Sequence, residues 1–171
     1  MNSIVKYVLQ FIVLILLQVL VVDQISLGYA SQFIIPSVYF LFVLMLPLTV
    51  SNGALMLLAF LIGMMVDIFK STPGMHASAM VLLGYFRPYL LKFIEPREGF
   101  DVLKTPSIYS MRKSVYLGYV SLASMVFHLW YFTVEVMRFS DFHMILLKTL
   151  CSSIISVLLI ILAQYLTVKR K

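Results

Sequence analysis

The chain predicts an all-α integral membrane protein with six transmembrane helices in a single domain, residues 1–171. Three observations lead there. Of its 171 residues 62% are hydrophobic and only 12% charged, and the mean hydropathy is +1.02, a composition that excludes a soluble domain. The apolar runs are long and do not alternate in polarity. They fit helices of about 20 apolar residues rising about 1.5 Å each, not the roughly 10-residue alternating strands of a barrel. The charges also gather between those runs. The single cysteine, Cys151, excludes an internal disulfide.

The spans are read at 4–22, 33–50, 53–69, 75–94, 114–136 and 142–167. The first carries Lys6 ahead of an apolar run and Gly28-Tyr29-Ala30 behind it, like a signal peptide, but the run is long for an h-region and is expected to stay as a span. Gln10 and Gln18 lie eight apart on one face and are expected to bond neighbouring helices. Spans two and three are separated only by Ser51-Asn52-Gly53, with Pro47 just before, which reads as a tight helical hairpin. Span four begins after the polar turn Lys70-Ser71-Thr72-Pro73-Gly74. In span five, His128 and Glu135 share a face near Trp130 and Tyr131; with Arg138 they form an expected outer-leaflet polar cluster within an aromatic belt, including a Glu135–Arg138 pair. Ser152 and Ser156 give span six a small polar stripe suited to packing.

Between spans four and five, residues 95–113 mix charges of both signs with Pro96, Gly99, Pro106 and apolar Phe100, Val102, Leu103, Ile108 and Tyr109. This loop is expected on the membrane surface. The alternatives are a solvated linker held near lipid by Arg112 and Lys113, or a docking site for a cytoplasmic partner.

Orientation follows from Lys and Arg, since short positive loops stay in the cytoplasm. Six spans put both termini on one side. That side collects Lys6, Lys92, Arg97, Lys104, Arg112, Lys113, Lys169, Arg170 and Lys171, whereas the other holds Lys70, Arg138 and Lys148. Both termini are therefore expected to be cytoplasmic. The net charge of +6 is accounted for by this asymmetry and by contact with anionic lipid, and no nucleic-acid motif is present.

The most informative residue is Asp67, a carboxylate near the end of the apolar stretch that begins at Leu55. An acid there costs several kcal/mol unless it is paired or faces a protein interior. Ala59, Gly63 and Asp67 are spaced by four, so they stack on one helix face where two small residues admit another backbone. The competing reading places Asp67 at headgroup level, capping the turn through Ser71 or Thr72 or pairing with Lys70. His76 opens span four beside Ala77, Ser78 and Ala79, and a contact from Asp67 to His76 across the hairpin fits the geometry.

No His-Glu-x-x-His motif or phosphate-binding Gly-x-x-x-x-Gly-Lys loop occurs; a rhomboid-like Ser/His pair stays open as an alternative, but nothing marks an activated serine, so the chain is expected to be non-enzymatic. His76, His128 and His143 are too scattered for a metal site, and no cofactor is expected.

The run Gly63-Met-Met-Val-Asp67-Ile-Phe-Lys-Ser-Thr-Pro73-Gly74-Met-His76-Ala77 resembles the signature of the rod shape-determining protein MreD family: a glycine, an aspartate four residues on, a polar Gly turn and a small-residue helix. Chain length, span count and a basic tail also resemble that family. The resemblance implies a component of the bacterial inner membrane and of the elongasome, the assembly that directs peptidoglycan synthesis and cell shape. MreC would be its direct partner, with MreB, RodA and a class B penicillin-binding protein in the same assembly. It implies a fold like the six-helix substrate-binding subunits of energy-coupling-factor transporters. The loop 95–113 is longer than the family pattern. On this reading Ala59, Gly63, Asp67, Pro73, Gly74 and His76 form a partner-binding or structural motif, a groove receiving the span of MreC. The alternative is a small-molecule, vitamin-like binding subunit of a transporter, its pocket lined by Asp67, His76 and the outer half of span five; a lipid-handling envelope protein is a third reading.

Overall fold

The computed structural model describes residues 3–25, 33–95, 105–136 and 142–167. Expectations for residues 96–104, Arg138 and the basic tail 169–171 fall outside the described residues. Within them the chain is entirely helical or irregular. Helix α1 (Ser3–Leu17) continues as a π-helical turn (Gln18–Val22), followed by the short α2 (Leu41–Leu44), then α3 (Asn52–Lys70), α4 (Met75–Ile94), α5 (Lys113–Val136) and α6 (Phe142–Thr167).

Four helical stretches are long and apolar enough to cross a membrane: Val5–Val22, Asn52–Lys70, Lys113–Val136 and Phe142–Tyr165. Helix α4 is 20 residues long but carries His76, Arg87 and Lys92, and it packs between α3 and α5. An ion pair from Lys70 to Asp23, at 2.9 Å, joins the C-terminal ends of α1 and α3. At the other end of the bundle Ile108 N donates to Gln164 of α6 at 3.0 Å, fastening the segment before α5. Residues 106–108 are buried there, while Tyr109, Ser110, Arg112 and Lys113 are exposed.

The largest departure from expectation is span two. Residues 33–50 do not form a spanning helix: 34–38 are irregular, α2 is one turn, and 45–50 are turns and bends. Pro36 and Pro47 each remove a backbone donor and bias the preceding residue toward extended geometry, which confines any helix to the stretch between them. The segment is nonetheless among the most buried in the protein, with Val38, Tyr39, Phe40, Leu41, Phe42, Val43 and Leu44 all at 2% exposure or less. It enters beside the end of α1 and leaves at the start of α3, threading the interior. Hydropathy registered that burial; it could not register the conformation.

Candidate functional site

An extended backbone inside a bilayer leaves N–H and C=O groups that lipid cannot satisfy, so it survives only where protein supplies the partners. Polar side chains of the helices do so here. Gln18 spans the segment: its Oε1 accepts from Val38 N at 2.8 Å, and its Nε2 donates to Pro36 O at 3.1 Å and to Asp23 Oδ1 at 2.8 Å. Ser152 accepts from Ile35 N at 3.0 Å and Ser156 from Ser37 N at 2.9 Å. His128 Nδ1 donates to the carbonyl of Ser124 at 2.8 Å, while Nε2 faces Ile35 O at 3.2 Å and Ser156 Oγ at 3.4 Å. Further along, buried Arg87 donates through Nη2 to the carbonyls of Leu44 and Leu46 and through Nε to the Tyr119 hydroxyl, which in turn reaches Leu44 O.

The polar residues read from sequence as contacts between helices therefore clamp a non-helical strand. Gln10 plays a lesser part, donating to Met45 Sδ at 3.3 Å. His128 is fully buried in this clamp, which corrects its expected place in an outer-leaflet cluster. Glu135 is exposed and paired with Lys148 of α6 at 3.2 Å; the expected pair with Arg138 falls outside the described residues. Lys148 also sits 5.5 Å from the centroid of the Phe132 ring.

The α3–α4 hairpin is the second polar centre. Helix α3 ends with Ser71 in the left-handed conformation (φ 54°), Pro73 follows, and Gly74 takes φ +82°, a value natural only to glycine. Gly74 offers no side-chain cap to α4, leaving the first amides of that helix without partners. Asp67 caps them from the neighbouring helix: Oδ1 accepts from His76 N at 3.0 Å and from Thr72 Oγ1 at 2.9 Å, and Oδ2 accepts from Ala77 N at 2.9 Å. A carboxylate is suited to this place because amide donors and the positive end of the helix dipole converge there. At 4% exposure Asp67 is buried, and Lys70, a partner proposed from sequence, is engaged with Asp23 instead.

Gly63 lets the two helices come this close. A Cβ added there would lie 2.5 Å from Ala77 Cα and 2.8 Å from both Ala77 N and His76 O. Further along, Ala59 faces Gly84, where an added Cβ would sit 3.4 Å from that of Ala59. The small-residue face expected to receive a partner's span is thus filled by the chain's own α4. Ala59, Gly63, Asp67, Gly74 and His76 do come together with Pro73 in one hairpin, and the groove they were to form is closed.

His76 is fully buried behind the hairpin. Its Nδ1 hydrogen-bonds the Tyr39 hydroxyl at 2.7 Å and its ring packs 4.7 Å from that of Tyr131. Its Nε2 has no partner among the described residues. A cavity of about 280 Å³ lies at the same end of the bundle, lined by Val22, Asp23, Ile25, Ile35, Pro36 and Lys70 among others. Asp67 and His76 are not among its lining residues, so the pocket expected from sequence at Asp67, His76 and span five is displaced toward the end of α1. No group of three or more potential metal ligands occurs among the described residues.

Searches for similar proteins found no matching family model, curated protein or solved structure.

Proposed function

We propose that this chain is a non-enzymatic, MreD-type component of a bacterial elongasome, held in the inner membrane with both termini cytoplasmic, which binds MreC and so helps to control peptidoglycan synthesis and cell shape. The observation that supports the reading is the α3–α4 hairpin: of the residues that bear the family resemblance, Gly63, Asp67, His76 and Ala77 touch one another there, and Gly74 takes the left-handed turn that joins the two helices. They act as one unit that fixes two helices. On this reading residues 33–50 count as a crossing, made in largely irregular form, which gives six passes in the manner of the energy-coupling-factor substrate-binding subunits. The basic residues Lys6, Lys92, Arg112 and Lys113 support a cytoplasmic face at the end of the bundle where α1 begins and α4 ends.

The test is purification of the tagged full-length chain from its native membrane in mild detergent, with mass spectrometry of proteins and extracted small molecules. Recovery of MreC with RodA and a class B penicillin-binding protein, and rounding of cells on depletion, is the expected outcome; their absence sinks the reading. A second reading, a small-molecule binding subunit of a transporter, is favoured by the cavity at Asp23 and Lys70. It requires a stoichiometric ligand and a coupling ATPase in the same preparation.

A further inference from the structure

The cavity at the end of the bundle sits at a depth that the chain itself marks. Two stretches able to cross a membrane, Val5–Val22 and Asn52–Lys70, finish beside Asp23 and at Lys70. This end of α1 and α3 therefore lies where hydrocarbon gives way to lipid headgroups. The cavity of about 280 Å³ has Asp23, Gln24 and Lys70 as its charged and polar side chains, with aliphatic residues such as Val22, Ile25 and Ile35 beside them. That volume stands at the lower limit of about 300 Å³ for small-molecule sites, so it suits a compact polar group.

The charges in this cavity are matched but incompletely bonded. Lys70 Nζ meets Asp23 Oδ1 at 2.9 Å, and Gln18 Nε2 donates to the same oxygen at 2.8 Å. Asp23 Oδ2 is buried and has no donor among the described residues, although a buried carboxylate is favoured when donors reach both of its oxygens. Lys70 carries three N–H donors, and Asp23 is the one acceptor it meets among the described residues. A simple cation entering here would meet Lys70 and a simple anion would meet Asp23, each a like charge. A ligand that carries both charges meets the opposite of each. The helix ends at Val22 and Lys70 are C-terminal, and each acts as about half a negative charge, which favours an ammonium beside them.

We propose that this cavity binds a zwitterion with a primary ammonium and an anionic group a few bonds apart, the chemistry of a phosphoethanolamine headgroup. The ammonium replaces Lys70 on Asp23 and donates to both carboxylate oxygens, and the released Lys70 turns to the phosphate. Oδ2 is covered while the ion pair is made, so the exchange of Lys70 for the ligand is the step that opens it. Depth favours a lipid as the source of the headgroup. Ile25 both lines the cavity and is exposed, and Leu20 and Val21 before it are exposed as well, which gives acyl chains an aliphatic surface to follow. The proposal names the ligand class of the cavity that favours the transporter reading, but it requires neither a coupling ATPase nor MreC and stands apart from both readings.

The test is native mass spectrometry of the full-length chain, purified in mild detergent, stripped of lipid and titrated with phosphatidylethanolamine, phosphatidylcholine, phosphatidylglycerol and, separately, free phosphoethanolamine. Phosphatidylethanolamine should be retained about 10-fold better than phosphatidylcholine, whose trimethylammonium has no N–H for Asp23, and than phosphatidylglycerol, which has no ammonium. Asp23→Asn should erase that preference. Glu135→Gln should keep it, because the Glu135–Lys148 pair does not line the cavity. Should Asp23→Asn not fold, the order of the three lipids on the unsubstituted chain, with Lys70→Gln as the second variant, decides the matter. Phosphatidylethanolamine preference without binding of free phosphoethanolamine supports the site with a lipid as its ligand, and binding of both supports it with a soluble zwitterion as a second source. Equal retention of the three lipids, or a preference that survives both Asp23→Asn and Lys70→Gln, would overturn the site. Recovery of MreC, or of a coupling ATPase, is measured in the unsubstituted chain from native membrane and is unaffected by either result.

Discussion

At the scale of single residues, Asp67 and Gly63 have different kinds of importance. Asp67 satisfies three donors at once, two of them backbone amides on another helix. Replacing it by Ala leaves His76 N and Ala77 N buried without partners, at a cost of about 3 kcal/mol or more. Asn keeps one acceptor oxygen but turns an amide toward one of the two N–H groups, so Asp67→Asn should fall between, losing about 1–2 kcal/mol. Thermal unfolding in detergent should rank the proteins wild type, Asn, Ala in falling order; equal stability of Asn and wild type would mean that only one oxygen matters. Gly63→Ala is a steric change, forcing a Cβ against the Ala77 backbone, and should cost about 1–3 kcal/mol by overpacking. Because the contact is intramolecular, loss of partner binding in Gly63 variants reports the hairpin and not an interface. This hairpin was the part of the molecule most open to reading from the chain, since Gly63, Asp67 and His76 lie within 14 consecutive residues, helical spacing puts Gly63 and Asp67 on one face of α3, and the short turn brings His76 back to it.

At the scale of elements, the segment 33–50 was the least legible. Its apolar residues carry the hydropathy of a helix, and what holds its irregular part is a set of side chains 18 to 119 residues distant: Gln18 to Pro36, His128 to Ile35, Ser152 to Ile35 and Ser156 to Ser37. No local window contains them. Pro36 and Pro47 were the available local signals, and the two glutamines and two serines were noticed as polar but assigned to helix packing. The clamp yields a prediction that separates the two glutamines. Gln18→Leu removes partners from Val38 N, Pro36 O and Asp23, whereas Gln10→Leu removes only a bond to a thioether. In a chain bearing Cys at position 37, alkylation by a membrane-permeant maleimide should rise at least several-fold with Gln18→Leu and stay near its starting level with Gln10→Leu. Equal labelling of the two would show that packing of Tyr39, Phe40 and Phe42 holds the segment without its hydrogen bonds. Arg87 secures the far end of the same stretch, where its guanidinium meets the carbonyls of Leu44 and Leu46.

For the whole molecule, the two end fastenings, Lys70 to Asp23 and Ile108 to Gln164, set α1 and α3 parallel and place the start of α5 beside the end of α6. Charge asymmetry then assigns the sides. Reporter fusions after residue 171 and within 97–104 should be active in the cytoplasm, and a fusion at Gly74 should be active only outside it. A cytoplasmic signal at Gly74 would invert the proposed orientation. The membrane class was legible because composition is a property of the entire chain. The path of residues 33–50 was harder, because a buried irregular segment and a buried helix present the same hydropathy over 18 residues.

The clamp around residues 33–38 also orders events in time. A transmembrane helix completes its own backbone hydrogen bonds as it forms, so it can settle in the bilayer as soon as it is made. This segment cannot, because the hydroxyls that hold Ile35 and Ser37 belong to Ser152 and Ser156. At about 5–20 residues per second of synthesis, those serines emerge about 6–24 s later. Throughout that interval the stretch must wait in another conformation or environment, with only Gln18 already in place to hold it. Helix α6 is thus the element that completes the hydrogen bonds of residues 35 and 37, and an early segment of the polypeptide depends on one made more than a hundred residues later.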